Sequence, residues 1–582
     1  MNFKSIATSA IILFTITTAQ AQLKPYSGNA LPDSIPPATP ATIPAYQQEP
    51  AKAADSEIDF GQIHGDFMSD FQTYQADTII NAAVPPQKMG SNNYMNLLYY
   101  RGKLTAGVRF EAYYPALQGF DQRYSGVGMV YRFANYKFDD LEITAGNFYE
   151  QFGSGMALRT YWDWNLGYDN SIDGFRAKYT GIRGMTIKGL IGNQRFYFDK
   201  GPGLIRGIDG EVDVKRLLNI KDYKTTLTVG GSFVSKFQKD DDPLLKLPEN
   251  VGLWSYRAAL TGGRVGLQVE YTYKINDPSA SNRYIYHYGE ALLIGATYTG
   301  KGLGISLQAK HLDNMNYRSD RGAILPQDLM INYLPAISPQ VSYRLPTLYP
   351  YVTQINGEIG FQGEINYKIK PTNTKILLNV SIVNNIDTTR YLKSDSANYP
   401  IPGYKSAGIV SDFKSFGKDQ FYRNINLEVN QKISNKFKVV LSYYYIMLNN
   451  NFLRLTLSEK PEIVHSHTGI ADISYKFASR KMLRVELQHL ATKQDYGNWA
   501  MVLAELTVSH AWSFSLMDEY NYGNEESYKR IHYFSGNIAY TKGTTRISLA
   551  YGKRRQGLLC VGGVCRVVPA TNGLSLNLSS SF

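Results

Sequence analysis

The chain closes on Asn572-Gly-Leu-Ser-Leu-Asn-Leu-Ser-Ser-Ser-Phe582, and the reading of this stretch decides the fold. Leu574, Leu576, Leu578 and Phe582 fall on one side of an extended chain; Ser575, Asn577, Ser579 and Ser581 fall on the other, and Ser580 alone breaks the apolar side. Successive side chains of a strand point to opposite faces. The segment is therefore a strand with one face suited to lipid and one to water.

The same alternation recurs upstream. In Val265-Gly-Leu-Gln-Val-Glu-Tyr-Thr-Tyr-Lys-Ile275, the odd positions are apolar or aromatic and the even positions are Gly266, Gln268, Glu270, Thr272 and Lys274. Ile425, Leu427 and Val429 alternate with Asn424, Asn426 and Glu428, and Leu483, Val485 and Leu487 with Arg484, Glu486 and Gln488. Runs of this length span a bilayer as tilted strands. No window offers the roughly 20 apolar residues of a membrane helix, and the mean hydropathy of -0.29 fits alternation. Only helices and closed barrels cross a bilayer with every backbone group satisfied. A large all-β, transmembrane antiparallel barrel is what remains.

The amino terminus points to the same compartment. Residues 1–21 hold Lys4, an apolar run from Ile6 to Ile16 and Ala19-Gln-Ala21, the form of a cleavable secretory signal peptide. Residues 22–57 carry Pro25, Pro32, Pro36, Pro37, Pro40, Pro44 and Pro50 and read as an extended periplasmic linker. The barrel is expected over 58–582. Tyr occurs 45 times and Phe 26 times against 5 Trp; rings with a polar tip suit membrane interfaces, although Tyr also favours strands in general.

Tight turn signals set the strand count. They fall at Arg101 to Lys103, Tyr136 to Asp139, Gly181 to Gly184, Leu218 to Asp222, Gly262-Gly263, Gly300 to Gly302, Lys370 to Asn373, Ser434-Asn435, Ala478-Ser479, Ala511-Trp512 and Lys542-Gly543. Eleven hairpins and a flanking strand at each end give about 24 strands, within 22 to 26, and return both termini to the periplasm. The other rim then carries the loops. The longest are expected at 313–351 and 385–418, and the aromatic-rich 151–165 is expected to pack on the inner wall. A barrel this wide is not filled by its own wall side chains, so these loops constrict it, plug it or face outward as a receptor surface.

Chemistry is sparse. Cys560 and Cys565 bracket Val-Gly-Gly-Val and are expected to close a disulfide in an oxidising compartment, worth roughly 2 kcal/mol for so short a ring. His465-Ser-His467 sets two imidazoles on one strand face, and Asp240-Asp-Asp242 clusters carboxylates; a polar face and a solvated loop account for both, and no metal or cofactor is assigned. There is no G-x-S-x-G, H-E-x-x-H or P-loop, so no enzyme is expected. The net charge of +12 points to anionic headgroups rather than nucleic acid. Arg264, Gln268, Glu270, Lys274, Glu428, Arg484 and Glu486 are the candidate pore-lining residues, with both signs present.

A terminal amphipathic strand ending in Phe resembles the insertion signal of outer-membrane barrels, carried here by Leu574, Leu576, Leu578 and Phe582. Gly146-Asn-Phe-Tyr-Glu-Gln-Phe-Gly-Ser-Gly155 and the tail Tyr551 to Arg566, with its Cys-Val-Gly-Gly-Val-Cys, resemble an uncharacterised family of outer-membrane barrel proteins typical of Bacteroidota. That resemblance implies location and fold and brings no activity. The N-terminal plug of TonB-dependent transporters and the soluble repeats of assembly-factor barrels have no counterpart before the first strand. Two readings stand: a passive or loop-gated channel for small solutes, or a partner-binding subunit of a secretion, assembly or uptake complex with an occluded lumen. Expected partners are outer-membrane lipid and lipopolysaccharide, the insertion machinery, and other outer-membrane or periplasmic proteins.

Overall fold

In the computed structural model the alternating segments pair into one closed 24-stranded sheet. The structure describes residues 60–582 apart from 222–223, 244, 246, 283, 324, 326–327, 391–408, 452–461 and 562–563. The expected signal peptide, 1–21, and the expected linker, 22–57, lie outside the described residues.

Each neighbouring pair of the wall is antiparallel, and the ring closes where Gln62–Thr73 pairs with Thr571–Ser581, from Asp66 opposite Ser581 to Gln72 opposite Ser575. Closure leaves no sheet edge. The strand count and all eleven tight connections agree with the turn signals, each turn holding between two and eleven residues. Gln62 lies opposite Tyr100 and Ser579 opposite Arg546, so the first and last strands begin and end at the rim of tight turns. Helix is confined to the single turn Val214–Leu217 and a few 3-10 turns among the described residues, and no helix there is long and apolar enough to cross a membrane.

Burial separates the two faces as the alternation requires. Along Ile463–Ala478, Val464, Ser466, Thr468 and Ile470 are buried while Ile463, His465 and His467 are exposed. Leu441, Leu516, Ile538 and Val269 stand out from the wall in the same way. The outward face thus carries most of the exposed large apolar side chains to lipid, and the inward face carries polar side chains together with apolar ones that are buried. The His465 and His467 rings are on the outer face, where Tyr445 and Tyr443 hydroxyls meet their Nδ1 atoms at 2.9 and 2.7 Å.

Three boundaries differ from expectation. The longest described loop runs from 314 to 356, a little beyond the proline cluster that marked it. The expected loop over 385–418 is strand where it is described, at 385–390 and 409–418: Thr374–Arg390 and Ile409–Lys432 remain paired out to Arg390 opposite Ile409, with register shifts after Val383. A strand that continues past the bilayer has water on both faces, so its apolar alternation fades although its hydrogen bonding does not; the remainder, 391–408, lies outside the described residues. At the loop rim, Phe196 and Asp199 are joined by only Tyr197 and Phe198, with Tyr197 at φ 57.

Candidate functional site: the loops folded into the bore

A 24-strand wall leaves a bore its side chains cannot fill, and two loops enter it. Residues 149–171 bend inward through two miniature hairpins, Gln151–Phe152 with Leu158–Arg159 and Trp162–Asp163 with Tyr168–Asp169. Phe152, Met156, Ala157 and Leu158 are fully buried against Ile205, Val234, Leu253 and Leu312 of the inner wall. Gly153 sits at φ 54, and a Cβ there would fall 2.8 Å from the Glu270 carboxylate, so glycine is required by backbone and space together. Ser154 N–H and Ser255 Oγ donate to that carboxylate at 2.8 Å each.

The second loop, 314–356, crosses the bore. At one side the Tyr317 hydroxyl donates to the Val251 and Val234 carbonyls at 2.9 and 3.3 Å. At the other, Arg344 pairs with Glu519 and Leu345 N–H donates to Gln488 at 2.8 Å. In the chain order of the 24 wall strands, Val234 belongs to the ninth and Glu519 to the twenty-first. Twelve strands apart in a closed ring of 24 is diametrically opposite. Ile337, Leu345, Tyr349 and Tyr351 seat the far half against Val383, Tyr422, Leu448, Leu490 and Trp499. The two loops also join each other: Arg159 N–H donates to the Ile331 carbonyl and Tyr333 N–H to the Gly155 carbonyl, both at 2.9 Å.

Buried charges fix these contacts, and each is paired, as burial demands. Lys310 meets Glu358 at 2.6 Å with neither side chain exposed, and its ammonium also donates to the Pro335 carbonyl. Lys236 meets Asp277 at 2.7 Å, while Lys274 meets the same carboxylate at 3.4 Å and donates to the Asn316 carbonyl. Arg195 binds Glu111 at 2.6 Å and Asp169 at 2.7 Å, and Arg109 binds both carboxylates as well. Two guanidiniums and two carboxylates cancel, and Asp169 ties the first loop to the wall.

Rim loops clamp the assembly from above. Arg123 reaches Asp121 at 2.6 Å and Asp328 of the crossing loop at 3.1 Å, and the Tyr197 hydroxyl donates to both carboxylates at 3.1 Å. Hydrogen bonding to Arg123 holds the Asp121 carboxyl below its ordinary value. Cys560 and Cys565 face each other in the hairpin Gly557–Val561 with Val564–Val568 and are joined as a disulfide. From that hairpin Arg566 lies 4.0 Å over Phe120 and donates to the Asn165 carbonyl at 2.8 Å. Burial pushes Arg566 down to about 10, so it is still charged at neutral pH.

The sequence-derived residues fall at two depths on the inner face. Glu270, Lys274 and Glu486 are buried at or just below the loops. Arg484 bridges Asp472 at 3.0 Å and Glu505 at 2.6 Å and also pairs with Glu486; Glu428 is half-buried. Gln268 is exposed further from the loops, and Arg264 sits in a tight turn. Other strands repeat the gradient: Glu358 is buried whereas Asn366 and Lys368 are exposed, and Ser466 is buried whereas Lys476 is exposed. The bore is filled toward the loop rim and widens into a vestibule toward the tight turns. Leu576 and Phe582 are exposed on the outer face, where Phe582 packs beside Gly65 of the first strand, with Leu574 and Leu578 half-buried. Arg109, Glu111, Asp169 and Arg195 were not singled out from sequence; the alternation of Arg109 and Glu111 with Val108 and Phe110 marks them as inward, but nothing local brings Asp169 to them.

A family model described as a family of unknown function (DUF6029) matches residues 13–582. No curated protein matches the chain. Among solved structures, the P pilus usher (PapC) translocation pore is similar at 8% identity and a TM-score of 0.41, covering 89% of this chain and 99% of that one. The siderophore receptor PirA from Pseudomonas aeruginosa gives 8% identity and 0.41, covering 90% and 81%, and the outer membrane protein OpdK from the same organism gives 9% and 0.33, covering 90% and 98%. At these scores the likeness is that of one large barrel to another.

Proposed function

We propose, for a chain that belongs to this family of unknown function and so inherits no activity from it, that the protein is an outer-membrane barrel for loop-gated passage, shut at its loop rim in the resting state. The apolar outward wall supports the membrane setting, and the Pro-rich start with its secretory leader supports the outer membrane with tight turns and termini facing the periplasm. One observation carries the gate: residues 314–356 are anchored to diametrically opposite strands, at Val234 and Glu519. A free-diffusion pore has no use for such a strut. The vestibule, lined by the polar Gln268 and by the oppositely charged Arg484 and Glu428, is the route solute takes once the strut moves.

The depth of apolar burial in the crossing loop supports a second reading, in which the plug never leaves and the barrel serves as a docking subunit reached from the vestibule. Single-channel recording of the mature barrel in planar bilayers separates the two. The gated reading expects a mostly silent wild type with rare openings, and stable conductance once 318–350 are replaced by a short Gly-Ser linker. An open wild type overturns the gate. A wild type that never opens, alongside a conducting deletion, favours the docking subunit.

A further inference from the structure

One sector of the wall is built differently from the rest. Leu141–Phe148 and Ile172–Tyr179 are eight residues each, shorter than the roughly 9–11 that a spanning strand uses. Gly126–Lys137 pairs with Leu104–Tyr113 over ten positions but with Leu141–Phe148 over only five, from Phe133 opposite Gly146 to Lys137 opposite Glu142. Beyond them the ladder gives way: Arg132 N–H donates to the Asn147 side chain at 3.0 Å, and Gly146 adopts φ 98.

Outside this seam the lipid-facing wall is hollowed. Leu97, Ala106, Val108, Ala134 and Ala145 line a groove of about 540 Å³, a volume in the range that holds small-molecule ligands. The alanines create it, because neighbouring strands put Leu, Phe or Tyr at outward positions. Arg132 lies at its end: Arg132 pairs with Val108 and Ala134 with Ala106, so Arg132 is the lining residue of this strand furthest from the tight turn.

Cations on a lipid-facing wall are costly unless something anionic meets them. Arg132 and Lys200 share one carboxylate, Asp173, at 3.4 and 2.8 Å, and the two cations are 49% and 57% exposed. Two positive charges against one negative leave a net cation with donors turned outward. An apolar trough ending in such a pair matches an acyl chain joined to a phosphate.

We infer that this seam binds one lipid A molecule, an acyl chain in the alanine groove and a phosphate on Arg132 and Lys200. The choice of lipid A over a phospholipid of the inner leaflet follows from the cations lying on the loop-rim side of the groove, and it rests on the orientation proposed above. Passage through the bore is not involved, since these side chains face away from it.

Native mass spectrometry of the mature barrel tests this, after incubation in mixed micelles with lipid A or with phosphatidylglycerol. The wild type is expected to keep one lipid A through detergent exchange and to shed phosphatidylglycerol. Ala134→Trp, which fills the groove, and the pair Arg132→Gln with Lys200→Gln should each lower the retained fraction roughly tenfold. Ala471→Trp, outward on another sector, should leave it unchanged. Heat-modifiable migration on gels verifies that every variant is folded, and the glutamine pair serves if the tryptophan variant is not. Equal retention in all four proteins, equal retention of both lipids, or no retention by the wild type would each overturn the site while leaving the gate intact. A barrel that failed to insert into bilayers would instead sink the membrane reading on which both depend.

Discussion

Gly153 shows how a single residue can hold a loop inside a barrel. Its positive φ and the Glu270 carboxylate against it leave no room for a side chain, and the reward is a backbone N–H from Ser154 delivered to a buried carboxylate. Gly153→Val is therefore expected to destabilise the inward seating of 149–171 by about 2 kcal/mol, from left-handed backbone strain with the lost hydrogen bond added. Hydrogen exchange across 151–165 should accelerate while exchange in the wall strands stays slow. Unchanged protection there would mean that the loop is held by its apolar contacts alone. Glu270 was readable from sequence as an inward residue; its partner was not, because Ser154 is 116 positions away.

At the scale of elements, the strut is held by paired charges that are tolerable only together. Lys310 and Glu358 end two adjacent strands at the point where the 314–356 loop leaves and returns, and neither side chain is exposed. Lys310→Met strands a buried carboxylate and should cost roughly 3–5 kcal/mol, whereas the Lys310→Met, Glu358→Met double variant should recover most of that loss. Thermal unfolding followed by tryptophan fluorescence measures both. A double variant as damaged as the single one would show that the pair is needed for its specific hydrogen bonds to Pro335 and Tyr351 rather than for charge balance.

At the scale of the whole molecule, the rim clasp couples the crossing loop to the wall and gives it an acid limit. Asp121 titrates below its ordinary value of 3.8 because Arg123 stabilises the carboxylate. A lowered folded value contributes stability that is complete above the ordinary value and is lost as pH falls through the lowered one. Protease cleavage within 314–356 should thus be constant from neutral pH down to about 4 and rise only in stronger acid. A rise between pH 5 and 7 would point to another group as the latch.

Sequence by itself determined the wall. Period-2 alternation states for each residue which medium it meets, and Gly- and Asn-marked turns state where the chain reverses; both are local, so Val265 to Lys274 and Thr571 to Ser581 could be read as strands in isolation, and the ring of 24 followed. The bore was decided only in three dimensions. That 314–356 is a strut and not an outward loop depends on Tyr317 meeting Val251 and Arg344 meeting Glu519, contacts between segments that share no periodicity and lie on opposite sides of the barrel. The seam at Gly146 is of the same kind: the hollow beside it exists because alanines from three different strands line up once the register is set. Alternation is a one-residue rule about solvent. Occlusion, ion pairing and grooves are sums over distant residues, and closing the sheet is what brings them together.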